Sequence, residues 1–171
     1  GFTLGISQGC QPIFSYNYGA RQYSRVREAY RKAIVAASVI CCIAFVCFQL
    51  FPRPIVALFD PSGSEEYFQF AERYFRIYMF MTLANAFQPI TANFFTSIGK
   101  AKRGALIALT RQVIFLIPLI LIFPLFLGID GVMYAGPIAD SAAVVVALAL
   151  VTREMKRMPH VDEPVAADTP V

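Results

Sequence analysis

Charge is scarce in this sequence: Asp, Glu, Lys and Arg make up 15% of 171 residues, against about 25% in an ordinary soluble domain. Histidine is scarcer still, a single residue at position 160. No Gly-rich phosphate loop is present, and no basic stretch leads into a short apolar core with a cleavage-like site, as a signal peptide would require. These shortages argue against an ordinary cytosolic enzyme. The 57% of hydrophobic residues and the mean hydropathy of +0.58 exclude a disordered chain. The sequence opens at Gly1, not Met, and enters uncharged residues at once, so a fragment or processed product is expected.

What is present is a series of long uncharged runs. Gly1 to Ala20, Ala33 to Phe51, Ile77 to Gly99 and Gln112 to Ile129 contain no charge, and Gly131 to Thr152 contains only Asp140. Each approaches the roughly 20 residues that a helix needs to cross about 30 Å of hydrocarbon. Barrel strands would be about half as long and would alternate in polarity. The expected fold is therefore all-α and integral to the membrane. About five transmembrane helices are expected, at roughly 1–20, 33–58, 74–99, 104–128 and 131–152, with a disordered, Pro-bearing cytoplasmic tail over 159–171.

Basic residues mark the cytoplasmic side of short loops. Arg21, Arg25, Arg27, Arg31 and Lys32 follow the first run, Lys100, Lys102 and Arg103 the third, and Arg153, Lys156 and Arg157 the fifth. The other side carries Arg53, Arg73 and Arg76 beside Asp60, Glu65, Glu66 and Glu72, and then only Asp130 in the last turn. The first span therefore runs inward and the C-terminus is cytoplasmic, in a multi-pass protein of the plasma membrane. Arg111 lies inside the fourth span, placed to snorkel to the inner interface. The net charge of +4 is accounted for by this topology, and no nucleic-acid partner is expected.

Polar residues inside the spans are the candidates for function. At 100° per residue Thr82, Asn85, Gln88, Ala92 and Thr96 share one face of the third span, with Asn93 at its margin and Pro89 among them. Phe80, Leu83, Phe87, Ile90, Phe94 and Ile98 form the opposite face, expected to meet lipid. In the first span Gln8, Gln11 and Ser15 align around Pro12. Gln8, Gln11, Asn85 and Gln88 are the candidate substrate-cavity residues; the alternative is that such amides only join helices. Asp140 is the sole acid deep in a span, at a cost of roughly 3 kcal/mol if ionised. It is the ion-coupling candidate, or else a neutral acid bonded to a neighbouring helix, which Gly136, Ala143 and Ala147 on the same face allow to approach. Asp140→Asn is expected to preserve the fold.

Enzyme signals are weak. Gly5-Ile6-Ser7-Gln8-Gly9 has the G-x-S-x-G spacing of a nucleophile elbow. That motif requires a strand-to-helix turn and a histidine within reach, and neither is indicated. Cys10, Cys41, Cys42 and Cys47 lie in the spans without a neighbouring histidine, so they are read as small apolar residues rather than metal ligands. No catalytic residue, metal or organic cofactor is expected.

Several stretches together resemble one family. Gln11-Pro12-Ile13-Phe14-Ser15-Tyr16-Asn17-Tyr18-Gly19-Ala20 with its Arg-rich loop is similar to the start of the second half of MATE (multidrug and toxic compound extrusion) transporters. So are Asn93-Phe94-Phe95-Thr96-Ser97-Ile98-Gly99-Lys100-Ala101-Lys102, Arg111-Gln112 and Gly128-Ile129-Asp130-Gly131-Val132. The resemblance covers Gly1 to Met158 and implies most of the C-terminal six-helix lobe of a twelve-helix transporter, spans eight to twelve. Its partners would be the N-terminal lobe, the lipid bilayer and small amphipathic, often cationic substrates, expelled by alternating access while H⁺ or Na⁺ enters. Some branches place a coupling acid in the tenth helix. Asn85 stands at that position here, which implies coupling through the other lobe. A flippase for lipid-linked saccharides and a non-transporting scaffold subunit are the alternatives.

Overall fold

The computed structural model describes residues 1–59, 64–79, 82 and 84–162, with only the backbone described at Tyr78 and Asn85. Phe80 and Leu83 of the expected lipid face, Asp60 of the outer loop, the Asn85 side chain and tail residues 163–171 lie outside that description. Backbone groups in hydrocarbon must be satisfied within the chain, which leaves the helix as the economical form for an uncharged run. All regular structure among the described residues is helical. The elements are α1 (Phe2–Gly19), α2 (Tyr23–Leu50), α3 (Pro52–Phe59), α4 (Glu65–Tyr78), α5 (Ala84–Ser97), α6 (Ala101–Leu109), a π-helical segment (Thr110–Leu116), α7 (Ile117–Leu127) and α8 (Ile129–Arg157). By length and composition, Tyr23–Leu50, Ala101–Leu127 and Ile129–Arg157 can each cross a membrane.

At 1.5 Å per residue the 28 residues of α2 extend about 42 Å, more than the hydrocarbon thickness. Its basic first turns can therefore stand outside hydrocarbon while the uncharged remainder lies within. Val26, Tyr30, Ala33, Ala37 and Cys41 are buried along one stripe, and Val35, Val39, Ile43 and Val46 on another face are exposed. An exposed stripe that is wholly apolar suits lipid, not water.

Among the described residues the third uncharged run falls in two helices. The amphipathic α4 carries it to Tyr78 and α5 resumes at Ala84, shortly before Pro89. Helix α4 begins on a Ser64 cap whose hydroxyl accepts from the Tyr67 N–H at 3.3 Å. Glu65 and Glu66 in its first turn and Arg76 in its last suit the helix dipole.

Helix α5 is the centre of the fold and touches α1, α2, α6 and α8. Its apolar face does not meet lipid as expected: Ile90 and Phe94 are 0% exposed and Ile98 is 5% exposed. Phe94 packs edge-on against Phe14 at 5.3 Å and tilted against Tyr30 at 4.9 Å. Periodicity finds an apolar face, but in a bilayer that face is equally stable against lipid or against neighbouring helices. At the end of α5, Gly99 takes φ +78°. The Lys100 N–H bonds the Phe95 carbonyl at 2.8 Å and the Gly99 N–H bonds that of Thr96 at 3.1 Å, a Schellman stop that turns the chain into α6. Helix α6 then lies so close that a Cβ on Gly104 would sit 2.6 Å from both the Ala92 carbonyl oxygen and the Thr96 hydroxyl.

The final helix is closed by the first turns of α2. The Arg27 guanidinium donates to the Met158 and Pro159 carbonyls at 2.8 and 2.9 Å, satisfying acceptors at the end of α8. Asp162 accepts from the Ser24 N–H at 2.8 Å and from the Ser24 hydroxyl. Pro159 to Asp162, expected as the start of a disordered tail, are thus docked on α2. These Ser24 hydrogen bonds hold the Asp162 carboxyl below the usual carboxylate range.

This packing makes two variants informative. Gly104→Leu is expected to force α5 and α6 apart at a cost of about 1–3 kcal/mol, read as a lowered melting temperature in size-exclusion thermostability of the full-length protein. An unchanged transition would contradict the close approach. For Asp162, a folded pKa below the unfolded value gives a contact complete above the ordinary carboxylate range and lost as pH falls through the lowered value. A spin label at Val161 is expected to be immobile at neutral pH and to become mobile only in acid, whereas Asp162→Asn frees it at neutral pH.

Candidate functional site

Buried polar links from α1, α2 and α6 fix α5 to its neighbours. The Ser7 hydroxyl of α1 donates to the Pro89 carbonyl at 3.1 Å and accepts from the Asn93 amide at 2.6 Å. The Thr91 hydroxyl donates to the Phe87 carbonyl at 2.8 Å and lies 2.7 Å from the Tyr30 hydroxyl of α2, which therefore acts as donor between the two. The Gln88 amide donates to the Ile107 carbonyl of α6 at 3.2 Å. Ser7 and Thr91 are 0% exposed and Gln88 is 7% exposed. A serine so engaged in mid-helix is an interhelical joint between α1 and α5.

The expected cavity residues thus separate. Gln88 is turned into α6 and engaged in packing. Gln8 is exposed and Gln11 half-buried on α1, beside Ser15, whose hydroxyl donates to the Ser97 carbonyl at 3.0 Å. Asn85 sits in the first turn of α5.

A second polar feature lies between the last two spans. Arg111 does not snorkel: its Nε donates to the Asp140 carboxylate of α8. The Asp140 side chain is 10% exposed and that of Arg111 is 31% exposed. Gly136, Ala139, Ala143 and Ala147 are buried on the same helix, and these small residues let the neighbouring segment come close. Arg111 belongs to the π-helical segment, where the Ile117 N–H reaches the Gln112 carbonyl, one residue further back than in an α-helix. Pro118 follows immediately, with no N–H to donate and a ring that crowds the preceding turn. A widened turn before a proline relieves that crowding, and π-turns recur at functional sites. The pair was legible in principle, since Arg111 and Asp140 are the lone base and lone acid of adjacent spans.

Sequence reasoning also missed Glu154. It is 1% exposed and forms ion pairs with both Lys100 and Arg103, each about one-third exposed. The Gly99 turn delivers both cations to it, so residues read only as topology signals also lock α8 to the start of α6. Among the described residues no group of His, Cys, Asp and Glu is arranged to hold a metal. The four cysteines are free thiols, with Cys41 buried and Cys42 and Cys47 exposed.

The ion pair revises the expectation for Asp140→Asn. Removing one partner strands a charge in hydrocarbon, and breaking a buried pair costs about 3–5 kcal/mol. Asp140→Asn is expected to lower the thermal stability of the full-length protein, and Arg111→Gln/Asp140→Asn to restore much of it. Equal stability of the single and double variants would refute the pairing.

Comparison with known proteins agrees with this architecture. The MatE family model matches residues 1–122. The multidrug export protein MepA of Staphylococcus aureus (strain bovine RF122 / ET3-1) is 23% identical over 148 residues, which is 86% of this chain and 32% of MepA. MepA of Staphylococcus haemolyticus (strain JCSC1435) is 24% identical over the same shares. The chain therefore spans about one-third of the length of the curated relatives it matches. Among solved structures, the MATE multidrug transporter DinF-BH superposes with a TM-score of 0.83 and 36% identity, covering 89% of this chain and 34% of that one. An outward-facing MATE family transporter of the MOP superfamily superposes with the same TM-score of 0.83 at 21% identity, a likeness of fold, covering 91% of this chain and 35% of that one. With the family model covering most of the sequence and the helices arranged as in these structures, this chain belongs to the MATE family and is part of a multi-pass membrane protein.

Proposed function

We propose that this chain forms most of the C-terminal lobe of a multidrug exporter in the plasma membrane, with its C-terminus in the cytoplasm. The 36% identity and TM-score of 0.83 to a multidrug transporter carry this reading. The excess of Arg and Lys after α1, after α5 and in the last turns of α8 supports the orientation. In this reading a second lobe of the same transporter completes the pathway, and amphipathic, often cationic compounds leave by alternating access in exchange for H⁺ or Na⁺. The substrate cavity borders the Gln8 and Gln11 face of α1 and the first turn of α5 at Asn85, with Gln88 bracing α5 from behind. Asp140 is the ion-coupling candidate in this lobe, acting through its pair with Arg111: an entering H⁺ or Na⁺ would compete with the guanidinium for the carboxylate.

Dye efflux by the full-length transporter tests the cavity. Gln8→Ala/Gln11→Ala/Asn85→Ala is expected to lower efflux of a cationic dye about threefold to tenfold at equal protein level, as for one or two lost hydrogen bonds. Unchanged efflux would remove these residues from the cavity. Coupling is tested separately in Arg111→Gln/Asp140→Asn, which leaves no stranded charge. A displaced pH or Na⁺ dependence of efflux supports the coupling role, and an identical dependence leaves the pair a purely structural one.

A further inference from the structure

An open groove of about 560 Å³ runs between α1 and α2, apart from the α5 seam and the Arg111–Asp140 pair. Its walls are apolar along Ile6, Ile13, Ala33 and Ala36. Its other end is charged, formed by Arg25, Glu28 and Lys32 in the first turns of α2. Arg31 adjoins the same mouth with Lys32 and Val35. The basic side chains Arg25, Arg31 and Lys32 are all exposed and outnumber the single acid. Glu28 engages Lys32 at 2.7 Å, with the two side chains 62% and 76% exposed. Such an exposed pair within one helix is weak and can be exchanged for a stronger anion.

Aromatic residues mark the depth of this charged end. Tyr16 is 76% exposed, and Tyr18 and Tyr23 meet edge to face at 5.6 Å across the α1–α2 turn. Tyrosine favours the level of the lipid headgroups, where one end of the ring is wet and the other apolar. The groove therefore runs from headgroup depth, where it offers cations, to acyl-chain depth, where Ile13 and the neighbouring Val35 are exposed and apolar.

We propose that this groove is a binding site for an anionic phospholipid, whose phosphate is held by Arg25 and Lys32 and whose acyl chain lies against Ile6, Ile13 and Ala36. Basic pockets between membrane helices on the cytoplasmic side take anionic headgroups for this reason: the phosphate gains opposite charge while its chain stays in hydrocarbon. A zwitterionic lipid has the same chains, but its net charge is zero and it gains less. The proposal depends on the membrane placement of α1 and α2 and not on the identity of any exported compound.

Native mass spectrometry of the full-length transporter, purified in detergent with dioleoyl phosphatidylglycerol or dioleoyl phosphatidylcholine, tests it. The unmodified protein is expected to retain phosphatidylglycerol in preference to phosphatidylcholine. Arg25→Gln/Lys32→Gln is expected to weaken that retention about tenfold, while Lys102→Gln/Lys156→Gln, which removes cations outside the groove, leaves it unchanged. Equal retention of the two lipids by the unmodified protein would overturn the proposal without recourse to any variant. So would equal phosphatidylglycerol retention in Arg25→Gln/Lys32→Gln. Cys10 lines the groove and reports its occupant: alkylation by a membrane-permeant maleimide is expected to be slower in phosphatidylglycerol than in phosphatidylcholine. Equal protection of Cys10 in both lipids, at the rate of the buried Cys41, would show that another segment of the protein fills the groove, and would refute the lipid site.

Discussion

A polar group carried into hydrocarbon has no water to bond and must find its partner on a neighbouring helix. That requirement organises this chain around α5. Pro89 leaves the helix with one donor fewer, and three different helices supply the contacts that hold it: Ser7 from α1, Tyr30 from α2 and the Ile107 carbonyl of α6. Such bonds are modest singly, on the order of 0.6–2 kcal/mol in membranes. They are directional, however, and dispersion between apolar faces is not. The aromatic cluster of Phe14, Tyr30 and Phe94 fills the space they define.

Charge is handled by the same rule at two depths. Within the span Arg111 and Asp140 neutralise one another, and the π-turn before Pro118 sets the position from which the guanidinium reaches α8. At the basic end Glu154 is buried under Lys100 and Arg103, while Arg27 and Asp162 tie the end of α8 to the start of α2. The second set joins sequence-distant helix ends on the basic side.

The helices were legible in the sequence because their signal is one-dimensional: a run of uncharged residues long enough for a bilayer, closed by basic residues. The pairing of those helices was not. The face bearing Ile90, Phe94 and Ile98 has the same periodicity whether lipid or protein covers it, and only the approach of α1 and α2 decides. Glu154 escaped notice because a lone acid among Arg153, Lys156 and Arg157 reads as part of a solvated cluster, whereas the helix turns it inward. The Arg111–Asp140 pair lay within reach, because two opposite charges in adjacent spans have strong reason to meet.

The central claim is that Gln88, Thr91 and Asn93 of α5 bind helices together, while the amides of α1 remain accessible. Aqueous thiol labelling of Gln88→Cys and Gln8→Cys in the full-length protein, each in a background without the native cysteines, tests it most directly. The account predicts that position 8 is labelled and position 88 is protected until the protein is denatured. Labelling of position 88 at the rate of position 8 would contradict it and turn that face of α5 toward water.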